Sequence, residues 1–524
     1  MKIVIIGGGT SGIAVATHLR RMNEKAKIVI LEKNNDFAHV RSMLPYLLFG
    51  DIVSSNDIIA ASVEQMQRIF NIKVKTSHEV YKIDHKNKKV FIKGKPTETY
   101  DKLVIATGSL QARPNIDGVL SEGIFDFKSV NDVNNIKKYL SDNPVQNIVI
   151  IGSNKLALKL ALGFAKQNFS VSVITKEDFV LPMFDNDIIS ELDDFIAKIG
   201  INIYTESEIC SFANNQITLK NNISVDYDLA IFAPEQTPNS VLAANSELKI
   251  GKHNGVITNE YMQTDNNDIY ACGSVVEAKD KITGKNCIPI NSSYATKQAK
   301  VVADHICNIA KPINDFIDCE IINLQNIIIG RCGANEKDLQ KNNIPYHKIF
   351  LRHYDKSLCF ADTKQNVFKL LFSAQGKILG LQICGEHGIS ERINAVWAQI
   401  MHNGDIYDLI NEIISFDDPL NMPKDPLNTL GSLAKEIVEG RLKTISISEL
   451  KENMFLMDTR SQHNFEHDHL PNAVNLPLNA IRDNLHSIPK DKKIVLYCNR
   501  GYGAYLAYRI LSQNGFNNLF LLFF

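Results

Sequence analysis

The sequence predicts a multidomain α/β protein in which helices cover parallel sheets, and three observations carry this prediction. The 524 residues are too many for one hydrophobic core and suggest roughly three or four domains. Apolar strand signals alternate with amphipathic helical stretches, which is typical of a parallel sheet. Two glycine-bearing turns, near residues 7 and 152, each follow a strand signal and precede a helical one. We therefore expect two βαβ units.

The strand and helix signals place these units along the chain. After the second unit, a short strand and a helix indicate a return to the first, so that the second is inserted into it. The expected strands lie at 2–6, 28–31, 103–106, 147–151, 170–174, 268–273 and 494–497, and the expected helices at 11–21, 155–167, 295–308 and 504–511. The predicted domains are 1–114 with 251–314, then 115–250, a mixed α+β domain at 315–440, and a final α/β domain at 443–524.

The composition is that of an ordinary globular protein. With 57 basic and 58 acidic residues, the net charge of -1 leaves no surplus to neutralise phosphates, which argues against nucleic acid as a partner. No apolar run reaches about 18 residues, so no membrane span is expected. The nine cysteines are odd in number and form no C-x-x-C pair, which favours the reducing cytoplasm and predicts neither a disulfide framework nor a metal site.

The first glycine-rich turn predicts a dinucleotide site. Its residues, Gly7-Gly8-Gly9-Thr10-Ser11-Gly12, supply a tight turn, close backbone approach to a pyrophosphate, and amides at a positive helix end. Glu32, after the next strand, is placed to accept hydrogen bonds from a ribose. The turn Ala106-Thr107-Gly108 follows a further strand. A plain glycine turn is the alternative, but the agreement of strand, helix and terminal acid favours nucleotide binding.

These motifs, together with Asp268-Ile269-Tyr270-Ala271-Cys272-Gly273 and Lys424-Asp425-Pro426-Leu427-Asn428, resemble the pyridine nucleotide-disulfide oxidoreductases. The similar branch contains coenzyme A-disulfide reductases, persulfide reductases and NADH oxidases, some of which carry a rhodanese domain. The resemblance covers essentially the whole chain. It implies two Rossmann-like domains that bind FAD and NAD(P)H, an α+β dimerisation domain, a homodimer, and a C-terminal α/β rhodanese-like domain. The residues it implies for FAD are Gly7, Gly9, Thr10, Ser11, Gly12, Glu32, Lys33, Val80, Ala106, Thr107, Gly108, Gly273 and Ser274.

The chain departs from the family at the redox cysteine. Family members carry that cysteine just before a Leu-Pro-Tyr, whereas this chain has Ser42 there, in Arg41-Ser42-Met43-Leu44-Pro45-Tyr46. A serine hydroxyl forms neither a mixed disulfide nor an anion at neutral pH. The first cysteine along the chain is Cys210, so disulfide reduction is not expected here unless a distant cysteine folds into place. Ser274 replaces a family aspartate, and Phe416 replaces a tyrosine of the dimer interface.

The second glycine-rich turn keeps only part of the dinucleotide-binding pattern. It keeps the first glycine and a small last residue, but Asn154 stands where the backbone should approach a pyrophosphate. Thr175 occupies the position of an acid that favours NAD, and the neighbouring Lys176 is able to meet a 2′-phosphate. Lys159 replaces a family glutamate near the nicotinamide. The candidate NAD(P) residues are Gly152, Asn154, Ala157, Lys159, Thr175 and Lys176, and the alternative is a module kept only as scaffold.

The last predicted domain contains a candidate sulfur site. A strand, the loop Cys498-Asn499-Arg500-Gly501-Tyr502-Gly503 and a helix place the Cys498 thiol among backbone amides, where the helix dipole and Arg500 favour the thiolate. Asp458-Thr459-Arg460 and the 469–477 segment resemble the structural signature of rhodanese domains. The alternative is an inert, buried thiol. Gly503 lacks the polar side chain that often closes this loop. The chain stops before the usual last helix, so the apolar residues 520–524 expose surface unless they dock.

Together the motifs predict an FAD-dependent oxidoreductase that moves electrons from NAD(P)H to a sulfur compound or another acceptor, with Cys498 as a sulfur carrier. Two alternatives stay open: a cysteine-independent NAD(P)H oxidase or quinone or protein reductase, and a degenerate flavoprotein scaffold for a sulfurtransferase or a partner. The basic pair Arg20-Arg21 is able to meet the phosphates of a coenzyme A derivative, although such a pair is more often a solvated helix face.

Overall fold

The structure is a computed structural model and describes residues 1–35, 37–111, 113–413, 424–499 and 501–522. These residues form two compact units, Met1–Pro182 with Leu192–Phe316, and Met183–Glu191 with Ile317–Phe524. Their sheets and helices confirm the predicted mixed α/β class. The predicted domain boundaries stay predictions. Within the described ranges, no helix has the length and apolar character that crossing a membrane requires.

The strands of the first unit fall into two parallel sheets and several small antiparallel ones. In chain order they are β1 (Lys2–Ile6), β2 (Lys27–Leu31), β3 (Lys73–Lys75), β4 (Val80–Asp84), β5 (Lys89–Ile92), β6 (Lys95–Thr99), β7 (Lys102–Ile105), β8 (Ser109–Leu110), β9 (Ile124–Asp126), β10 (Asn147–Ile151), β11 (Ser170–Ile174), β12 (Ile201–Tyr204), β13 (Ile209–Ala213), β14 (Gln216–Leu219), β15 (Ser224–Asp226), β16 (Leu229–Phe232), β17 (Thr237–Pro238), β18 (Ile269–Ala271), β19 (Ala278–Lys279) and β20 (Asn286–Cys287).

The strands of the second unit form one antiparallel and one parallel sheet. They are β21 (Cys319–Leu324), β22 (Ile327–Gly333), β23 (His347–Tyr354), β24 (Gln365–Phe372), β25 (Ile378–Gly385), β26 (Thr444–Ile445), β27 (Phe455–Asp458), β28 (Val474–Asn475), β29 (Ile494–Tyr497) and β30 (Leu519–Leu522).

The helices of both units are α1 (Thr10–Met22), α2 (Leu44–Phe49), α3 (Val63–Phe70), α4 (Val130–Asp142), α5 (Lys155–Lys166), α6 (Asn186–Ile189), α7 (Asp193–Ile199), α8 (Val241–Ala244), α9 (Ser292–Ile306), α10 (Glu336–Lys341), α11 (Ile389–Met401), α12 (Ile406–Asn411), α13 (Pro426–Val438), α14 (Gln462–His467) and α15 (Tyr502–Gln513).

The first parallel sheet has the order β18-β7-β1-β2-β3. Its strands are β-branched apolar runs because both faces are buried. Ile3 and Ile5 of β1 pack on the side of α1 and α9, whereas Val4 and Ile6 pack in a second core on the opposite face. The carboxyl ends of β1, β2, β7 and β18 meet at one edge of this sheet, which is where ligands bind in such folds.

The second parallel sheet repeats this plan with the order β12-β11-β10-β16-β9. The strand β10 lies between β11 and β16, just as β1 lies between β2 and β7. The helix α5 follows β10 as α1 follows β1. The first unit therefore contains two modules of one design, and the strand β18 of the first comes after the whole of the second.

The antiparallel sheet of the second unit, in the order β21-β22-β25-β24-β23, buries a charged side chain. Lys369 of β24 is fully buried, and its Nζ lies 2.9 Å from Asp185 and 2.7 Å from Asp187, with Glu336 also in contact. These three carboxylates are close enough together to hold a metal ion. The Lys369 ammonium lies among them and supplies the positive charge that they require.

The parallel sheet at the end of the chain has the order β26-β30-β29-β27-β28. The strand β30 therefore lies inside the sheet, where Leu519, Leu521 and Leu522 are each at most 1% exposed. The apolar segment that risked exposing surface is docked over this range. Phe523 and Phe524 lie outside the described residues.

The predicted phosphate-binding role of the Arg20-Arg21 pair is contradicted at Arg20. Its side chain is 6% exposed, and its guanidinium donates to five backbone carbonyls, those of Asn23, Glu24, Ala26, Phe70 and Asn71. This arrangement ties the end of α1 to the segment after α3. Arg20 is thus neither a phosphate ligand nor part of a solvated helix face.

Candidate functional site

The turn between β1 and α1 requires glycine at its first and last positions. Gly7 has a φ of +110°, and a Cβ there would lie 2.2 Å from the carbonyl oxygen of Ala106. A Cβ on Gly12 would lie 2.0 Å from the carbonyl oxygen of Gly7. Both distances are far below van der Waals contact, so the close packing of β1, α1 and β7 depends on these two glycines.

The third glycine of the turn leaves space for a ligand. Gly9 is the N-cap of α1, and a Cβ built on it would meet no described atom within 4 Å. Among the described residues, no side chain caps this helix end. The first amides of α1, which include those of Ser11 and Gly12, are therefore available to an anionic group. This geometry fits the diphosphate of a dinucleotide.

Glu32 lies directly after β2, beside this turn. Its Oε2 accepts from the amide of Gly8 at 2.8 Å, and its Oε1 accepts from the amide of Asn34 at 2.9 Å. A carboxylate accepts about four hydrogen bonds, so capacity remains for ribose hydroxyls. The neighbouring Lys33 is exposed.

A cavity of about 730 Å³ extends from this turn, and its walls include Gly8, Gly9, Glu32 and Lys33. This volume lies within the range of small-molecule and cofactor sites. His39 and Gln111 also line the cavity. The Nδ1 atom of His39 and the Oε1 atom of Gln111 are buried without a hydrogen-bond partner among the described residues. Such atoms require a partner from a ligand or water.

His39 and Gln111 were missed by the sequence analysis. Each lies within three residues of a motif that it singled out, Ser42 for His39 and Gly108 for Gln111. This proximity to the two motifs was the available signal in the sequence.

The predicted FAD residues that follow β7 and β18 are brought to the same edge. Thr107 lies two residues beyond β7 and donates to the carbonyl of Asn239 at 2.8 Å. Gly273 has a φ of +85°, and a Cβ there would lie 2.3 Å from Ser11 Oγ. The partly buried Ser274 follows it, Thr10 opens α1, and Gly108 takes a φ of +68°. Val80 begins β4, two positions beyond His78, whose amide donates to the carbonyl of Glu32 at 2.8 Å, and its side chain packs against the second core of the first sheet.

Ser42 lies in a short 3-10 turn, Arg41–Met43, that leads into α2. Its side chain is exposed, and both Arg41 and Leu44 line the cavity. The strand β18 brings Cys272 to the same unit, but that thiol is fully buried, and burial raises its pKa to about 12. A thiol with such a pKa does not replace a redox thiolate.

Lys159 of α5 lies close to α2. Its Nζ is 5.5 Å from the centre of the Tyr46 ring, four residues beyond Ser42. A cationic side chain thus stands at the position where the family resemblance implies a glutamate.

The second turn differs from the first in what it offers a ligand. The Asn154 side chain caps α5 by accepting from the amides of Leu156 and Ala157 at 2.9 and 3.1 Å. Thr175 is 4% exposed and accepts from the amide of Glu177 at 3.1 Å. Lys176 is exposed to solvent. Gly152 keeps the strained φ of +145° that the turn requires.

The predicted sulfur site lies at the start of α15. The helix begins at Tyr502, two residues earlier than predicted, so Tyr502 and Gly503 belong to its first turn and not to the loop. Cys498 Sγ accepts from the amide of Ala504 at 3.3 Å, and Gly501 turns the chain with a φ of +76°. The sulfur therefore lies at a helix N-terminus, where an anionic sulfur is stabilised. Arg500 lies outside the described residues.

Behind this loop, a buried ion pair fixes its position. Asp458 is fully buried, and its carboxylate accepts from Nε of Arg460 at 2.9 Å and from Nη2 at 2.7 Å. Nη1 of Arg460 also donates to Asn499 Oδ1 at 2.8 Å. The hydrogen bond to Asp458 raises the pKa of Arg460, which keeps it charged. Asp458 and Arg460, which belong to the segment that resembles the structural signature of rhodanese domains, thus hold the neighbour of Cys498 in place.

Burial disfavours the thiolate form of five of the other cysteines, while Cys498 is itself only 9% exposed. All nine cysteines are present as thiols. Burial raises the pKa of Cys272 and of Cys384 to about 12, and that of Cys319 to about 11. It also raises the pKa of Cys307 and, far more, that of Cys332. These five thiols are protonated at neutral pH.

The sequence matches two described protein families. Residues 1–299 match "Pyridine nucleotide-disulphide oxidoreductase", and residues 446–522 match "Rhodanese-like domain". An NADH oxidase of Methanocaldococcus jannaschii is 28% identical over 436 residues, which are 82% of this chain and 97% of that protein. A coenzyme A disulfide reductase of Staphylococcus aureus is 23% identical over 83% of this chain and all of its own length, 100%.

Solved structures resemble the chain over nearly its full length. Reduced CoADR-RHD of Bacillus anthracis is 26% identical and covers 99% of this chain and 96% of its own, with a TM-score of 0.97. An NAD-dependent persulfide reductase from A. fulgidus is also 26% identical and covers 100% of this chain and 98% of its own, with a TM-score of 0.93. The predicted resemblance is confirmed. The chain belongs to the pyridine nucleotide-disulphide oxidoreductases, a family of flavin enzymes that use FAD and NAD(P)H, and it carries a rhodanese-like domain.

Proposed function

We propose that this flavin oxidoreductase reduces sulfane sulfur, and that Cys498 carries the sulfur atom. The observation that carries the proposal is the position of Cys498, whose Sγ accepts from the Ala504 amide at the N-terminus of α15. The same amides and helix dipole that stabilise a thiolate also stabilise a terminal persulfide anion. The names of similar proteins, a persulfide reductase and a coenzyme A disulfide reductase, support the same acceptor class.

The proposed chemistry has two balanced steps. In the first, the Cys498 thiol attacks a low-molecular-weight persulfide, R–S–S⁻, and yields R–S⁻ and Cys498–S–SH. In the second, deprotonated Cys498–S–S⁻ takes up two electrons and two protons and yields Cys498–SH and HS⁻. Bound FAD would supply those two electrons, which NAD(P)H would provide as hydride. Gly9, the α1 amides, Glu32 and Thr107 belong to the edge that would hold it.

A second candidate function follows from Ser42. The residue at the family's redox-cysteine position is an exposed serine, and the buried thiol of Cys272, in the same unit, has a pKa of about 12. These facts favour an acceptor that needs no protein thiol beside the flavin, such as oxygen, a quinone or a redox protein. An NADH oxidase among the similar proteins supports this alternative.

One experiment separates the two candidates. The purified protein is reduced anaerobically with NADH or NADPH while the visible flavin absorbance is recorded, and a polysulfide is then added. We expect the flavin to bleach, then to reoxidise with release of about one sulfide per two electrons. Cys498→Ser should keep the bleaching and lose sulfide release, whereas Cys359→Ser, at an exposed thiol, should lose neither. Sulfide release by Cys498→Ser at the wild-type rate refutes the proposal. Reoxidation by oxygen or a quinone alone favours the alternative.

We also propose that the enzyme works in the cytoplasm as a homodimer. The nine thiols support a reducing compartment. The dimer is implied by the family resemblance, and Phe416, the residue predicted at its interface, lies outside the described residues. Analytical ultracentrifugation of the purified protein tests the dimer, and a monomer at micromolar concentration would contradict it.

A further inference from the structure

The two dinucleotide modules have nearly the same backbone at the turn before the first helix. A Cβ on Gly7 or on Gly152 would lie 2.2 or 2.1 Å from a carbonyl oxygen of the neighbouring strand's end. The N-cap residues also agree, with φ -83° and ψ -171° at Gly9 and φ -82° and ψ 176° at Asn154. The modules are therefore an internal comparison in which the backbone is constant and the N-cap side chain varies.

In the second module, the Asn154 carboxamide fills the position that Gly9 leaves open. Its Oδ1 accepts from the amides of Leu156 and Ala157 at 2.9 and 3.1 Å. Its Nδ2 donates to the carbonyls of Ala233 and Pro234 at 2.9 and 3.1 Å. These four bonds use the full donor and acceptor capacity of a carboxamide. The two amides belong to the first turn of α5, where a dinucleotide diphosphate binds.

The residue expected to contact the ribose also differs between the two modules, and again the second module is the less suited to a dinucleotide. After β2, Glu32 presents a carboxylate, whereas after β11 the first residue is Thr175, a short neutral side chain that is 4% exposed. The Thr175 hydroxyl already accepts from the amide of Glu177 at 3.1 Å. The second module thus offers no carboxylate at the ribose position, and the Asn154 side chain occupies the amides at its diphosphate position.

We infer that Asn154 sets the affinity of the second module for nicotinamide nucleotides. Its carboxamide competes within the molecule for the α5 amides that the diphosphate of NAD(P)H needs. A bound nucleotide must displace the side chain and break its four hydrogen bonds, so the wild-type protein binds NAD(P)H weakly. The identity of the ligand rests on the proposed function, whereas the competition rests on the geometry of the turn.

Asn154→Gly is the first test, with binding measured on the FAD-loaded protein by calorimetric titration of NAD⁺ and of ADP-ribose. Glycine is well tolerated at an N-cap, and thermal melting checks that the variant is folded. We expect at least about tenfold tighter binding of both probes, because two amides become available for charge-assisted hydrogen bonds. Asn168→Gly is the matched control, since Asn168 is an exposed residue of the same module with a φ of +68°. A folded Asn154→Gly protein that binds no tighter overturns the inference.

The reciprocal exchange, Gly9→Asn, tests the same principle in the first module. The φ of Gly9 is ordinary, and a Cβ there would meet no described atom within 4 Å, so the variant should fold. We expect it to lose FAD, which the visible absorbance of the purified protein reports. Retention of FAD at wild-type affinity would contradict the inference.

Failure of this inference is distinguishable from failure of the proposed function, because the titrations use oxidised probes and involve no electron transfer. If Asn154→Gly binds NAD⁺ tightly but NADH leaves the flavin oxidised, the proposed function fails and the role of Asn154 stands. If NADH reduces the wild-type flavin but Asn154→Gly binds no tighter, the inference fails alone.

Discussion

Replacing Lys369 with methionine tests the charged cluster in the second unit. Burial opposes the charge of Lys369, but the attraction of Asp185, Asp187 and Glu336 outweighs it and raises the lysine's pKa. Burial raises the pKa of Asp187, and Asp185 and Glu336 add to that effect. Burial favours a higher pKa for Glu336 as well, but the attraction of Lys369 and the other partners outweighs it, so the pKa of Glu336 is lowered. Methionine keeps the aliphatic volume and leaves three carboxylates without their shared cation.

The expected loss of stability is large. Removing one partner of a buried ion pair costs about 3–5 kcal/mol, and we expect the lower end, about 3 kcal/mol, because Asp187 is partly exposed and regains water. The lone tryptophan, Trp397, lies in α11 of the same unit, so its fluorescence follows this unit during urea unfolding. With m of about 1–3 kcal/mol/M, the urea midpoint should fall by about 1–3 M.

The pH dependence gives the sharper test. Without the lysine, repulsion raises the folded pKa values of the carboxyls above their unfolded values, so the folded variant binds protons first as the pH falls. The loss of unfolding free energy in Lys369→Met relative to wild type should therefore be largest at neutral pH and shrink below about pH 5. Lys377→Met, at an exposed lysine just before β25, should change stability by less than about 0.5 kcal/mol. A loss for Lys369→Met that is independent of pH, or no loss at all, refutes the electrostatic reasoning.

Three further predictions concern the two candidate sites. Glu32→Ala should weaken FAD binding, because it removes the carboxylate beside Gly8 that would accept hydrogen bonds from the ribose. An unchanged affinity in an FAD titration would contradict this role of Glu32. The reduced enzyme should show no thiolate-to-flavin charge-transfer band, because Ser42 supplies no thiolate; such a band in the visible spectrum would reveal a substitute cysteine. Brief, substoichiometric alkylation followed by peptide mapping should label Cys498 first, and preferential labelling of another cysteine would contradict its proposed activation.

Local patterns in the sequence were sufficient to predict the elements around both sites. The strands β10, β11 and β29 match their predicted ranges, and α5 differs from its prediction by one residue at its end. The start of α15 was predicted two residues late, because apolar periodicity does not mark Gly501 as an N-cap. The convergence of Gly9, Glu32 and Thr107 at one edge follows from the same patterns, since the carboxyl ends of parallel strands converge, whereas Val80 and Ser274 were implied by the family resemblance.

Features that depend on distant segments were not predictable in this way. The Lys369 cluster joins residues near positions 185, 336 and 369, which no local pattern connects. The burial of Arg20 depends partly on two of its five partners, the carbonyls of Phe70 and Asn71, which lie some 50 positions along the chain. The Asn154 cap is local, but whether its side chain faces the helix amides or solvent depends on the carbonyls of Ala233 and Pro234.

The order of strands in the first module has a consequence for how the protein folds. Ser11, near the start of the chain, lies against Gly273, and β18 pairs with β7 although the whole second module lies between them. The first module is therefore completed only after this long loop has closed, and contacts of such high sequence separation slow folding. Once the second module is folded and compact, the chain on either side of it is closer together, which makes the pairing of β7 with β18 easier. Recovery of flavin binding during refolding should consequently lag behind the folding of the second module, so a mutation there can delay FAD uptake without touching the FAD site.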